Sequence, residues 1–448
     1  MTSTYHADFA WRGGESVVAN VRIEVANGVI VSVTDGVAQQ PGDEHIAGVV
    51  MPGLVNAHSH AFHRALRGRT HGVGGDFWSW RESMYDIANA LTPENYAELS
   101  AMVYAEMALA GITGVGEFHY VHHDRDGASY SDPNEMGLAV VQAAHQAGIR
   151  LALLDVAYLH AGLDQPEPLP EQRRFADKNI ESWLDRVDRL GEGGKGWTVG
   201  LAPHSVRAVH PAELDEVVGA RYGRVVHLHV SEQPGENLSC LAATGKTPTA
   251  VLAEVGLLGL FATAVHATHL TRDDIELLGT SKTTVCMCPT TERDLADGIG
   301  PASALVRAGA LLALGSDSHA AIDLFEEARA VEYNERLIAA RRGLHRPGDL
   351  LAAATSGGGH SLGWVDHDGR SGILPGMPAD FIAISLDSVR LASFSPDCGA
   401  AHIVYAAAPA DVRDVWVGGS RIVENFRHTK IEDVTGGLRN AIAKVVSI

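Results

Sequence analysis

The sequence predicts an α/β protein: a (β/α)8 barrel of the TIM type with a small β-sandwich domain built from both chain ends. Three observations carry this. Strand signals crowd both ends of the 448-residue chain, and strand and helix signals alternate between them. No Gly-rich phosphate loop follows an early strand, which disfavours the dinucleotide-binding version of a doubly wound sheet. The implied boundaries are 1–52 with 373–448 for the β-domain and 53–372 for the barrel.

At the N-terminal end, Ser16–Val25, Gly28–Val33 and Gly48–Pro52 alternate β-branched residues, with Asn27-Gly28 and Asp35-Gly36 as hairpin turns between them. At the other end, Ala379–Ile384 and Val412–Val417, the latter followed by Gly418-Gly419, carry the same signature. In the middle, Asp132-Pro133 reads as an N-cap with proline at the first helical position, opening a helix over Met136–Ala147 that stops at Gly148. Strands follow at Arg150–Leu159 and Trp197–Ala202, then a helix at Pro211–Val218. Further strands are expected at Arg224–Val230, Ala262–Thr268, Thr283–Cys288 and Leu311–Gly315.

Apolar residues make up 46 % of the chain and charged residues 20 %, enough for an ordinary core. The formal charge of −20 repels phosphate backbones and anionic lipid, so neither nucleic acid nor membrane is expected as a partner. A local pair of arginines can still bind a small anion. The cysteines, Cys240, Cys286, Cys288 and Cys398, lack the spacing of a zinc knuckle or redox pair and read as thiols in a reducing cytoplasm. No leader-like or membrane-spanning apolar run is expected.

The chemistry clusters where strands end. In Met51-Pro-Gly-Leu-Val-Asn-Ala-His58-Ser-His60 the two histidines are two residues apart, so a strand projects both to one face, where they can share a metal. In Val225-Val-His227-Leu-His229-Val-Ser-Glu232, His229 lies nearer the C-terminal end of the strand, where barrel sites are built. His227 then reads as packing, and Glu232 as a loop carboxylate able to move protons. Either His266 or His269 of Ala264-Val-His-Ala-Thr-His-Leu270 can face the site, and His266 fits the end of the apolar run better. Asp317 follows Leu314-Gly315 at another strand end, with Ser318 and His319 as further candidates to line the pocket. Taken singly, His58-x-His60 is a common tripeptide in a chain with 23 histidines, Glu232 reads as a solvated loop acid and Asp317 as a helix cap. Their succession at strand ends is what points to a metal-dependent hydrolase.

These residues resemble the pattern of the amidohydrolase superfamily. The resemblance covers nearly the whole chain, including the split β-domain and its return at Gly372–Asp380. It implies His58, His60, His229 and Asp317 as ligands of one metal ion, zinc with Fe2+ as the alternative, because Gly200-Leu-Ala-Pro-His204 carries no bridging lysine. It also implies Glu232, His266 and Asp317 as the catalytic groups. Within the superfamily the chain is similar to the formimidoylglutamate deiminase family, through His58–Ala65, Phe77–Tyr85, Glu117–Asp124 and His204–Val209. This implies release of ammonia from N-formimidoyl-L-glutamate in histidine degradation, by a cytoplasmic homodimer acting on a small dicarboxylate amidine. His63, Arg81, Tyr120, His204 and Arg207 match substrate-binding positions, although the family often has glutamine at His63. Guanidinium groups suit a diacid, since they grip carboxylates through paired hydrogen bonds. Other deaminases or chlorohydrolases of the superfamily, acting on guanine, a thioadenosine or a triazine, and a non-catalytic barrel scaffold are the alternatives.

Overall fold

The computed structural model describes residues 2–71, 77–365 and 369–446, and the side chains of 77–79 lie outside the description. The side chains of Phe77, Trp78 and Ser79 in the aromatic segment before Arg81 therefore fall outside it. Among the described residues, seventeen strands form two sheets. Those of the N-terminal part are β1 (Thr2–Ala10), β2 (Val18–Ala26), β3 (Val29–Thr34) and β4 (Glu44–Pro52). The central strands are β5 (Leu54–Ser59), β6 (Ile112–His119), β7 (Arg150–Ala157), β8 (Gly193–Gly194), β9 (Trp197–Pro203), β10 (Val226–Val230), β11 (Ala262–His266), β12 (Thr284–Met287) and β13 (Leu311–Leu314). The last are β14 (Phe381–Ile384), β15 (Val412–Val417), β16 (Ser420–Glu424) and β17 (Arg427–His428).

The central sheet runs β13-β12-β11-β10-β9-β7-β6-β5 with every neighbour parallel, and β8 is a short antiparallel appendage of β9. Its two ends meet: Asp317 N–H donates to the His58 carbonyl at 3.0 Å and His60 N–H to the Asp317 carbonyl at 3.2 Å. The eight strands thus close as a barrel, with the seam at the first and last candidate site segments. The strands are buried along nearly their whole length, as the two-sided burial of a parallel barrel requires.

The second sheet, β17-β16-β15-β14-β4-β1-β2-β3, is one mixed path drawn from both chain ends. It encloses its own core, in which Tyr5, Phe381 and Trp416 pack ring against ring at 4.7–5.6 Å. The Asn27-Gly28 turn forms as expected, with φ of 53° and 81°; a Cβ on Gly28 would lie 2.7 Å from the Gly418 carbonyl oxygen. Asp35-Gly36 does not make a second hairpin. Instead β4 runs back to lie parallel to β1 and antiparallel to β14. The reason lies in its composition: Val49, Val50 and Met51 are all fully buried, which an edge position beside β3 would not allow.

The expected helix over Met136–Ala147 spans Glu135–Ala147, with Asn134 at the cap position and Gly148 at φ 83° closing it. Asp132 sits one step further out, accepting from Asn134 N–H at 2.9 Å. The C-terminal helix Val434–Val446 packs on the barrel helix Pro93–Leu109, with Met102 beside Gly437 and Lys444 paired with Glu98. No described helix is long and apolar enough to cross a membrane.

Candidate active site

At the C-terminal mouth of the barrel is a cavity of about 560 Å³. His60, His63, Arg81, Tyr120, His204, Arg207, His229, Glu232, His266 and Asp317 all line it, and His58 lies fully buried beneath. The residues that the resemblance assigns to metal, catalysis and substrate are therefore brought to one place, whereas the further candidates Ser318 and His319 do not line the cavity. His227, one pleat lower, is buried and hydrogen-bonds the Ser361 carbonyl at 2.9 Å; His269 turns away to the Asp297 carbonyl at 2.7 Å. His319 points behind the floor, between Ser59 and Ser316 at 3.1 and 3.0 Å.

The backbone is held in costly conformations here. Ser231, His266, Ala267, Asp317 and His319 have φ of 52°, 68°, 51°, 42° and 60°. Left-handed backbone costs a non-glycine residue about 1–3 kcal/mol and persists only where the surroundings enforce it. All five stand where a strand breaks off into the loops around the mouth.

At the floor, His58 Nε2 is 3.2 Å from both His60 Nε2 and His229 Nε2. Asp317 Oδ1 is 3.2 Å from His60 Nε2 and 3.5 Å from His58 Nε2. His60 Nδ1 faces the Phe118 carbonyl at 3.0 Å and His229 Nδ1 the His204 carbonyl at 3.1 Å. A carbonyl only accepts, so both Nδ1 atoms carry a proton and both Nε2 atoms turn inward. Burial pushes His58 down to about 3, so it is neutral. Converging lone pairs with a carboxylate repel one another unless a cation lies among them, and nitrogen–oxygen donors of this kind suit zinc or a similar divalent ion. The residues present fit a single metal.

Above the floor, His266 lies between carboxylates. Its Nε2 is 3.7 Å from Glu232 Oε1 and 3.7 Å from Asp317 Oδ2, and its Nδ1 is 3.5 Å from Glu292 Oε1. Burial opposes charging of this imidazole, but the surrounding acids raise its pKa well above the ordinary value. Glu232 is itself raised, chiefly by burial, against the pull of His266. Cys288 Sγ is within 4.8 Å of ligand atoms of His266 and Asp317, but burial raises the thiol well above its usual range and keeps it protonated.

Several participants were not visible in the sequence. Glu292 follows the unremarkable Cys288-Pro-Thr-Thr and backs His266 while accepting from Cys288 N–H at 2.9 Å. Glu236 lines the cavity, accepts from Glu232 N–H at 3.1 Å, and is pushed up to about 7 by burial and by Glu232. Its position four residues after Glu232 is the only signal that could have marked it. Glu117 is fully buried; it accepts from Ser59 Oγ–H at 2.7 Å and Ala61 N–H at 2.6 Å, and so braces the segment carrying His58 and His60. On the cavity wall, His63 Nε2 and Tyr120 OH are 2.6 Å apart, and Arg207 donates to Tyr158 OH and the Ala161 carbonyl, each at 3.0 Å. No described carboxylate lies within ion-pair distance of Arg207.

A closed parallel barrel with a metal-ligand set at its C-terminal mouth and a β-domain from both chain ends defines a class. The chain belongs to the amidohydrolase family, a family of metal-dependent hydrolases, whose model matches residues 49–422. The N-terminal domain model of formimidoylglutamate deiminase HutF matches residues 18–47. Among curated proteins, the formimidoylglutamate deiminase of Pseudomonas aeruginosa is 37 % identical over 428 residues, which cover 92 % of this chain and 93 % of that one. An 8-oxoguanine deaminase of the same organism is 31 % identical over 89 % of each chain. Among solved structures, an amidohydrolase from Brucella melitensis is 34 % identical with a TM-score of 0.92, covering 99 % of this chain and all of that one (100 %).

Proposed function

We propose that this enzyme hydrolyses a C–N bond of N-formimidoyl-L-glutamate to give N-formyl-L-glutamate and ammonia, a step of histidine degradation. The observation that carries the reading is one cavity that joins a cation-demanding floor to a wall whose Arg207 is tied only to neutral acceptors. The similarity to the Pseudomonas deiminase supports the same substrate. In this reading His58, His60, His229 and Asp317 hold one divalent ion, Zn2+ with Fe2+ as the alternative. Such an ion supplies Lewis acidity that makes water a nucleophile near neutral pH.

The remaining work belongs to the chain's own side chains. Arg81 and Arg207 bind the two substrate carboxylates, and Tyr120, His204 and His63 orient the formimidoyl group. Asp317 accepts the proton of the attacking water, which His266, held charged among its neighbouring carboxylates, orients. Glu232, raised by burial, delivers a proton to the departing nitrogen, so that the C–N bond breaks with loss of NH3 as the formyl C=O forms. The same reading takes 53–372 as the catalytic unit and 1–52 with 373–448 as the β-domain. It places the enzyme in the cytoplasm as a homodimer with neither nucleic acid nor membrane as partner, in keeping with a charge of −20.

The test is ammonia release by the zinc-loaded protein from N-formimidoyl-L-glutamate, guanine and 5′-methylthioadenosine, side by side. Turnover of the first alone is expected. Turnover of a purine with none of the formimidoyl diacid would replace the reading with a purine deaminase.

A further inference from the structure

The wall of the cavity contains a hydroxyl-donor arrangement that the roles above do not use. Gln172 is fully buried, and its side-chain oxygen accepts from Leu169 N–H at 2.9 Å. That contact sets which end of the amide is the NH2. The NH2 group then donates to Tyr158 OH at 2.9 Å and to Tyr85 OH at 3.2 Å. Tyr158 OH also accepts from Arg207 Nη1 at 3.0 Å. Guanidinium and amide NH2 groups only donate, so both lone pairs of the Tyr158 oxygen are taken and its own proton has to go elsewhere. Among the described residues no acceptor for the Tyr158 or Tyr85 hydroxyl proton is present. Both tyrosines line the cavity, Tyr158 is only 3 % exposed, and Arg81 and Arg207 lie 5.3 and 5.7 Å from the Tyr85 and Tyr158 ring centres. A buried phenol whose proton lacks an acceptor is costly, and the cost is relieved by an anionic acceptor in the cavity.

We infer that Tyr158, aided by Tyr85 and held by the Gln172 fork, donates a hydrogen bond to one carboxylate of the substrate and so selects a diacid over a monoacid amidine. The inference rests on the proposed deiminase reading and extends it to residues that reading does not assign. Gln172 acts through the two phenols and is a positioning residue. The hydroxyls discriminate because an uncharged group in place of the carboxylate leaves them poorly paired, with Arg207 beside them.

The test compares wild type with Tyr158→Phe and Tyr85→Phe on three substrates: N-formimidoyl-L-glutamate, N-formimidoyl-L-glutamine and N-formimidoyl-4-aminobutyrate. Each analogue keeps one carboxylate. For Tyr158→Phe, KM for the diacid is expected to rise roughly 10-fold or more, the scale of one charge-assisted hydrogen bond, with kcat nearly unchanged. The rise should persist for one analogue and vanish for the one that lacks the contacted carboxylate. Tyr85→Phe should give the same pattern with a smaller change. An equal KM rise for all three substrates, or none for the diacid, overturns the inference. Zinc content and Tm separate misfolding from either outcome: if Tyr158→Phe is unstable, the same pattern in Tyr85→Phe decides. Failure of the underlying reading looks different, because wild type itself would then not turn over the diacid.

Discussion

Among the described residues, two places bring at least two histidines and an acid close enough to share a metal. One is the barrel floor, with His58, His60 and His229 beside Asp317; the other is His160, His210 and Glu213 on the rim. By distance alone they are alike, and the difference lies in the protons. At the floor, backbone carbonyls fix the outer nitrogens as donors and leave the inner nitrogens facing each other. At the rim, His160 meets an acceptor on each side, the Pro166 carbonyl at 2.8 Å and Glu213 Oε1 at 2.7 Å, while His210 reaches the Gly162 carbonyl at 3.3 Å. The floor demands a cation. The rim is already a closed hydrogen-bond clamp on the loop over Gly162–Pro166, whose first residues line the cavity. Proximity of ligand types is thus weak evidence of a metal site until the hydrogens are accounted for.

The comparison breaks most visibly at the floor. Replacing His229 with Ala removes an inward lone pair, and the expected result is loss of bound zinc with a fall in turnover of at least ~1000-fold, the size seen when a reaction loses its Lewis acid and activated water together. Metal analysis of the purified variant checks it; stoichiometric zinc with near-normal turnover would remove His229 from the ligand set. One step outward, Glu232→Gln keeps the floor intact. It should retain zinc and fold but lose at least ~100-fold in kcat, the usual size of a proton-transfer contribution. A kcat within a few-fold of wild type would assign the proton transfer to another group, with Glu236 the next carboxylate in reach. On the wall, Arg207→Met should leave zinc and most of kcat in place and raise KM for the diacid by roughly 10- to 100-fold, as expected for a charge-assisted contact. An unchanged KM would take Arg207 out of the carboxylate site.

Much of the floor was legible in the sequence because its residues sit at strand ends, where a period of two and the polarity of a barrel say which side chains converge. His58 and His60 share a face through local geometry alone, and the preference for His229 over His227 and His266 over His269 follows from how far each stands along its strand. The split β-domain was readable for the same reason, down to the Asn27-Gly28 turn. Neither the place of β4 nor the part of the wall built by Tyr158, Gln172 and Tyr85 was legible. Strand order in the small sheet depends on which strand can be buried on both sides, a property of the assembled sheet. Tyr158, Gln172 and Tyr85 meet across 14 and 87 residues of chain through single hydrogen bonds, and no local period marks them. Glu292 carries no pattern either: its role comes from lying behind His266.

The smallest expected effect is the sharpest check on the comparison. His160→Gln shortens the reach on one side of the rim clamp and removes the imidazole that bridges the Pro166 carbonyl and Glu213. The clamp is partly exposed, so loss of its contact with Glu213 is expected to cost about 1 kcal/mol or less. Zinc content should stay the same as in wild type, because none of the rim nitrogens is needed by the floor. KM should rise by a few-fold at most, through loosening of the loop from Ala161 to Gln165 that walls the cavity. A drop of one metal equivalent in this variant would mean that the rim does bind an ion, and that hydrogen-bond accounting does not distinguish the two clusters. Unchanged metal content with a modest change in KM would place the cation at the floor and leave the rim with a mechanical role, holding the wall against which a diacid is measured.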